Sequence, residues 1–295
     1  MKYRIFILLI FSNYLASQTE LLNAKNPDEI IRNINLNTES PLKYYEIEAN
    51  DVLWSKVVYE FIDLNEKLNF PLLFPVDDER NIIGRKSFWR ILKEYISKNV
   101  EGIDGDSLNN IEIYSSDDFS KKLTNSEVLD LMSYELISRR TNTTLREYVN
   151  SNQIGGYNIK GMWYFDKKHS ELKYRLLGIQ PVGSNTENLK DGDMSKRESP
   201  YFWIWYPTLR EILSKNFVFN EKNNNNNISF DDLLVNRRFS SFIYKYNNVY
   251  GDREIKDYII QRPGESKQQH RLRIILESER IKKEILDFEL DMWGY

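Results

Sequence analysis

The chain has no cysteine, which removes disulfides, thiol nucleophiles and thiolate metal sites from consideration. A chain of 295 residues needs no such staple, because at that size it buries an adequate core by itself. The same absence removes the acylated cysteine by which bacterial lipoproteins are anchored, so any hold on a membrane is expected to come through a partner. Histidine is almost as scarce. His169 and His270 are far apart and neither has a second ligand four residues on, which argues against a helical zinc pair. No basic excess exists, with 41 Lys and Arg against 44 Asp and Glu, so the footprint of a nucleic-acid binder is missing. There is no G-x-S-x-G elbow and no phosphate-cradling glycine loop.

Long apolar runs are also lacking. The first, Ile5–Phe11, has seven residues, far short of the roughly 20 that span a bilayer as a helix. Lys2 and Arg4 precede it, and the mostly small or polar stretch Ser12–Ser17 follows. This is the layout of a cleavable secretory signal, residues 1–17, with Gln18 as the expected new N-terminus. Losing Lys2 and Arg4 leaves 39 basic against 44 acidic residues, a net charge of −5. The expectation is an exported protein that is soluble once the signal is removed.

Aromatic residues are abundant, at 14% with 19 Tyr and 6 Trp, a density that suits a thick core or a broad contact surface. Residues 18–49 are polar and read as an arm; 50–295 read as one α+β domain with no repeat and no sustained βαβ alternation. Val52, Leu53, Val57, Val58, Phe61, Ile62 and Leu68 recur at helical spacing after a capping Asn50 or Asp51, predicting a helix stopped by Pro71. The Pro71–Pro75 bracket predicts an extended, buried Leu72-Leu73-Phe74. Ser87–Ile96 reads as a helix with Phe88, Ile91, Leu92 and Tyr95 on one face, and Ile111–Tyr114 as a short strand. Thr124-Asn-Ser-Glu127 is a capping box opening a helix through Val128, Leu131, Met132 and Leu136. Tyr157–Phe165 and Leu172–Gln180, split by the polar turn Asp166–Glu171, predict a β-hairpin. Residues 183–200 read as a charged loop, Tyr201–Tyr206 as a buried strand, and Leu209–Lys215 as a short helix. The five asparagines 223–227 read as a low-complexity loop. Ser229 caps a further helix, and Ser266–Met292 is a long last helix with Leu272, Ile281, Ile285, Phe288 and Met292 as its apolar stripe.

The acidic clusters Asp77-Asp78-Glu79, Asp117-Asp118 and Asp231-Asp232 are the candidates for acid–base work of the glycosidase kind. Each falls in a loop or at a helix start, where carboxylates serve free backbone N–H groups, and Asp77–Glu79 lacks EF-hand spacing for calcium. No catalytic residue, cofactor site or metal site is assigned. The run Tyr201–Tyr206 offers a sugar-stacking platform or, in the plainer reading, core; as a strand, it shows only half of its residues to either side. Arg237 and Arg238 pair with Asp231 and Asp232 or with a partner subunit. Trp203, Trp205, Arg237 and Arg238 are therefore the expected partner-interface residues.

Several strings are more specific than their physics. Asp51-Val-Leu-Trp-Ser-Lys-Val-Val-Tyr59 continues into Ile62-Asp-Leu-Asn-Glu-Lys-Leu-Asn-Phe-Pro-Leu-Leu-Phe-Pro75. Pro200-Tyr-Phe-Trp-Ile-Trp-Tyr-Pro-Thr-Leu-Arg-Glu-Ile-Leu213 follows later. Ser229-Phe-Asp-Asp-Leu-Leu, Arg237-Arg-Phe-Ser-Ser-Phe-Ile-Tyr244, Asn248-Val-Tyr, Glu277-Ser-Glu-Arg-Ile281 and Met292-Trp-Gly-Tyr295 complete the series. In this order they resemble the GldN (PorN) family across nearly all of the mature chain. The resemblance implies a non-enzymatic ring subunit of the type IX secretion system in the periplasm. It implies as partners the outer-membrane lipoprotein GldK (PorK), the motor proteins GldL and GldM (PorL and PorM), and further copies closing the ring. The system exports proteins and, in gliding species, supports surface motility. The alternatives from the residues alone are a carboxylate-dependent periplasmic hydrolase and a glycan-binding module.

Overall fold

Val52–Asp63 forms a strand, β1, and not the helix that the spacing of its apolar residues predicts. Hydrogen-bonded to a neighbour on each side, β1 is central, and a central strand carries apolar residues on both faces. Such a pattern satisfies helical positions as readily as alternating ones, and four β-branched residues (Val52, Val57, Val58 and Ile62) tip the balance toward strand. The computed structural model describes residues 41, 44, 47–78, 85–101, 111–137, 144–190, 198–218 and 228–293. The expected signal segment, most of the 18–49 arm and the asparagine run 223–227 lie outside the described residues.

The further strands are β2 (Ile113–Tyr114), β3 (Ser133–Ile137), β4 (Thr144–Tyr148), β5 (Ile154–Asp166), β6 (Glu171–Ser184), β7 (Glu198–Pro200), β8 (Trp203–Trp205), β9 (Phe217–Val218), β10 (Ile228–Ser229) and β11 (Phe242–Tyr246). The helices are α1 (Phe70–Leu73), α2 (Phe88–Glu101), α3 (Asn125–Met132), α4 (Thr186–Lys190), α5 (Tyr206–Ser214), α6 (Phe230–Val235), α7 (Ile255–Tyr258) and α8 (Lys267–Trp293). The class is α+β, as expected. The main sheet is antiparallel, in the order β11-β1-β5-β6-β8-β2, with β7 also on β6.

The predicted hairpin is β5–β6, closed by the turn after Asp166. Phe88, Ile91 and Leu92 are buried on α2 and Tyr95 packs beside them; the Ser87 hydroxyl caps its start by accepting from Arg90 N–H at 3.1 Å. The capping box at Thr124 and the Ser229 cap both form. Other boundaries differ. Pro71 stands in the first turn of α1, where its missing N–H costs nothing, so this stretch is helical; Leu72 is buried but Phe74 is exposed. The helix from Thr124 ends at Met132, and Leu136 belongs to β3, paired with β4. Within 183–200, β6 runs on to Ser184, α4 follows, and β7 returns to the sheet. The aromatic strand is confined to Trp203–Trp205, because Tyr206 and Pro207 already start α5.

Alternation along β1 shows how the core is arranged. Val58, Glu60 and Ile62 share one face of the sheet. Ile62 joins the larger core, with Phe88, Trp89, Tyr157, Phe202, Tyr206 and Phe230. Val58 joins a smaller one, with Ile243, Tyr246, Ile255 and the α8 residues Ile281 and Ile285. Two cores therefore lie side by side on one sheet face, and Glu60 lies between them. Along α8, Ile281 and Ile285 face inward, and Phe288 stacks on Trp54. Leu272 does not belong to that stripe: it is 56% exposed.

Candidate functional site

Among the described residues, three charged constellations and an aromatic row take up most of the candidate acidic, arginine and tryptophan residues. The first is the seam between the cores. Glu60, fully buried, accepts from Arg237 Nη1 at 2.9 Å and Nη2 at 2.6 Å, and from the Ser241 hydroxyl. Burial opposes the Arg237 charge, but Glu60 outweighs it and holds the guanidinium more firmly protonated. Arg237 also lies over the rings of Tyr174 and Trp163, at 4.2 and 5.2 Å. Its partner is thus Glu60, from the distant strand β1, and neither Asp231 nor Asp232.

Asp231 belongs to the second constellation. It accepts from the Tyr206 hydroxyl at 2.7 Å and from Arg210 Nε and Nη2 at 3.1 and 2.9 Å. The ring of Tyr44, from the end of the polar arm, covers Arg210 at 3.8 Å. Asp232 instead pairs with Ser229, the cap of α6: its N–H donates to the Ser229 hydroxyl at 3.0 Å and its carboxylate accepts from that hydroxyl at 2.7 Å. In the third, Asp78 accepts from Lys93 Nζ at 2.5 Å and from the Ser151 N–H at 3.1 Å, which ties the loop before α2 to the turn between β4 and β5.

The aromatic row crosses the opposite face of the sheet. Lys245, Tyr59, Lys160, Gly178 and Trp205 are successive cross-strand partners on β11, β1, β5, β6 and β8. Lys245 and Lys160 lie over the Tyr59 ring at 4.4 and 5.3 Å. The loop after β2 folds onto this row. Phe119, in left-handed backbone at φ 56°, meets Trp205 edge to face at 4.9 Å. It occupies the space that a side chain at position 178 would fill, since a Cβ there would come within 2.5 Å of Phe119. Asp117 completes the clamp: its carboxylate accepts from Lys245 at 3.0 Å and its carbonyl from Lys160 at 2.6 Å. Burial pushes Asp117 up, but hydrogen bonds from Lys245 and Tyr59 outweigh it and leave the carboxyl below its ordinary value. Burial also lowers Lys160, helped by the neighbouring Lys245, and raises Tyr59.

The expected interface residues thus fall in different settings. Trp203 is 5% exposed and packs on Tyr59 and Phe119; Trp205 is half-buried under Phe119; Arg237 is inside the seam; Arg238 is exposed. The structure does not bring these four into one surface. Of the acidic clusters, Glu79 lies outside the described residues, and Asp78, Asp117 and Asp231 each answer a different cation. His169 bonds Asp166 at 2.6 Å, and His270 lies 3.8 Å from Glu265. Among the described residues no three His, Asp or Glu side chains form a group able to hold a metal ion, and no helix is long and apolar enough to cross a membrane. What the arrangement does chemically is fasten elements to the sheet. No local signal marks Glu60, Lys160 or Lys245, whose positions are set by strand pairing.

No curated protein matches the chain. The family model described as "Gliding motility associated protein GldN" matches residues 47–294, from just before β1 to the end of α8, and the chain belongs to the GldN family.

Proposed function

We propose that the protein is a non-enzymatic structural subunit of the periplasmic ring of the type IX secretion system. In this reading it assembles with a GldK/PorK-like outer-membrane lipoprotein and with further copies of itself, and a GldM/PorM-like motor component engages the ring. It supports protein export and, in a gliding species, surface motility. Family membership over residues 47–294 carries the reading. Two features support it. The secretory layout of residues 1–17 directs the chain to the periplasm, and the absence of cysteine leaves attachment at the outer membrane to the lipoprotein. Asp78, Asp117 and Asp231 each answer to a cation that fastens the fold, a role suited to a stiff building block.

Co-expression of the chain with its lipoprotein partner tests the proposal. Co-purification as a high-mass assembly, seen as rings by electron microscopy, is expected. A lone monomer beside unassembled lipoprotein overturns it.

A further inference from the structure

Helix α8 carries a second apolar stripe, on the side turned away from the sheet. Ile281 and Ile285 point into the smaller core at 0 and 2% exposure, while Leu272, Leu276, Leu286 and Leu290 are 56, 58, 53 and 67% exposed. At 100° per residue these four fall within about 40° of the direction opposite Ile281. Glu279 and Lys283 occupy the same line between them. Exposed leucines scattered singly need no explanation; a line of them along about 27 Å of one helix does.

The order along this line identifies what covers it. The spacing Leu272, Leu276, Glu279, Lys283, Leu286, Leu290 advances by four, three, four, three, four, which is the alternation of the two seam positions of a coiled coil. It is also a palindrome in charge. In an antiparallel pair of two such helices, centred on the level of Ile281, Leu272 meets Leu290 of the second copy and Leu276 meets its Leu286. Glu279 then meets Lys283, and every pair recurs by symmetry. A parallel pair in register places Glu279 on Glu279 and Lys283 on Lys283, which repels. Two of the charges in the flanks are already held: Arg280 by Glu277 and Glu284, and Lys282 by Glu279 and the Ser241 carbonyl. The Glu279–Lys282 contact is a surface pair, cheaply exchanged for one between helices.

We infer that two copies of this chain dimerise through α8, antiparallel and two-fold symmetric, with leucine layers at both ends and a Glu279–Lys283 layer in the middle. The contact closes on itself and leaves the rest of each surface for head-to-tail ring contacts. It does not depend on the ring reading: failure to co-assemble with a lipoprotein leaves the dimer standing, and a monomer that still joins the ring removes the dimer alone.

Analytical ultracentrifugation of the exported chain over a concentration series tests this. The unmodified protein dimerises, Glu279→Lys and Lys283→Glu each weaken the dimer by about tenfold or more, and the double exchange restores it. All three keep the circular dichroism of the parent, since both positions are exposed. Because the chain has no cysteine, oxidation gives a second readout. L276C/L286C forms a disulfide-linked dimer and L276C alone does not. A protein that stays monomeric throughout, single exchanges without effect, or cross-linking by L276C alone overturns the inference.

Discussion

Arg237 holds a backbone conformation that its side chain must compensate. At φ 52° it is the left-handed residue after α6, where the N–H groups of Arg237 and Arg238 bond back to Leu234 and Leu233 at 3.2 and 2.9 Å. Glycine is the usual residue there, and any other costs roughly 1–2 kcal/mol. The return is the forked bond to Glu60, which has only 1% of its side chain exposed. Arg237→Met leaves that carboxylate buried without its cation, so a loss of about 3–5 kcal/mol is expected in urea unfolding. E60L/R237M should recover most of it, since an apolar pair of similar volume replaces a buried ion pair at little cost. If the double variant loses as much as the single one, the pair acts by shape and not by charge. Asp166 makes a pH-dependent contribution. Lys173 donates to it at 2.8 Å, His169 and the backbone of Lys168 add further bonds, and together they hold the carboxyl well below its ordinary 3.8. A depressed folded value means that the stabilisation is complete above the unfolded pKa and is lost as pH falls through the folded one. The melting temperature should therefore fall as the solution is acidified below about pH 5, and Asp166→Asn should lower it at neutral pH while flattening the acid slope. Parallel curves for the two proteins would refute this.

At the scale of elements, legibility followed how local the determining interaction is. The capping box at Thr124, the Ser229 cap, the inward face of α2 and the β5–β6 turn are each set within a few residues, and all could be read directly. Strand β1 could not, because its conformation is decided by β5 and β11, and its apolar residues serve both sides of a central strand. For the same reason the cation that answers Glu60 comes from 177 residues away, and no spacing rule finds it. Helix α8 was legible in length but not in facing, since one apolar stripe was expected where two exist. Its inner side is fixed to the sheet by more than apolar contact: the Ser278 hydroxyl accepts from the buried Ile243 N–H at 2.8 Å. Ser278→Ala leaves that donor without a partner, at an expected cost of about 1–3 kcal/mol, with faster hydrogen exchange at the Ile243 amide as its local signature. On the other face, Phe119→Ala removes the wedge above Gly178. As Phe119 is only half-buried, a loss of about 2 kcal/mol is expected, below the 3–5 typical of a fully buried phenylalanine. Tryptophan emission should shift to the red as Trp205 meets water; an unchanged spectrum would mean that the loop stays in place without its ring.

For the whole molecule, the decisive feature is that both cores are built on the same strand. Val58 belongs to the smaller core and Ile62 to the larger, one helical layer covers each, and the Glu60–Arg237 pair fills the seam. A helix laid over an otherwise complete domain would be free to leave first, exposing Val58 and Ile243 while the rest stayed folded. Here that departure would strip β11 of the Ser278 bond and open the seam beside Glu60, so the cost of losing one core includes damage to the other. The two cores should accordingly unfold in one transition. Ile285→Ala, a truncation in the smaller core, is expected to cost about 2–5 kcal/mol and to lower the urea midpoint equally for two reporters. One is the hydrogen exchange of the Ile62 amide and the other that of the Ile281 amide, each at the same free energy in the parent protein and each reduced alike in the variant. If α8 exchanges at a lower free energy than β1, the helix is a detachable layer, and the continuity of β1 does not join the cores into one cooperative unit.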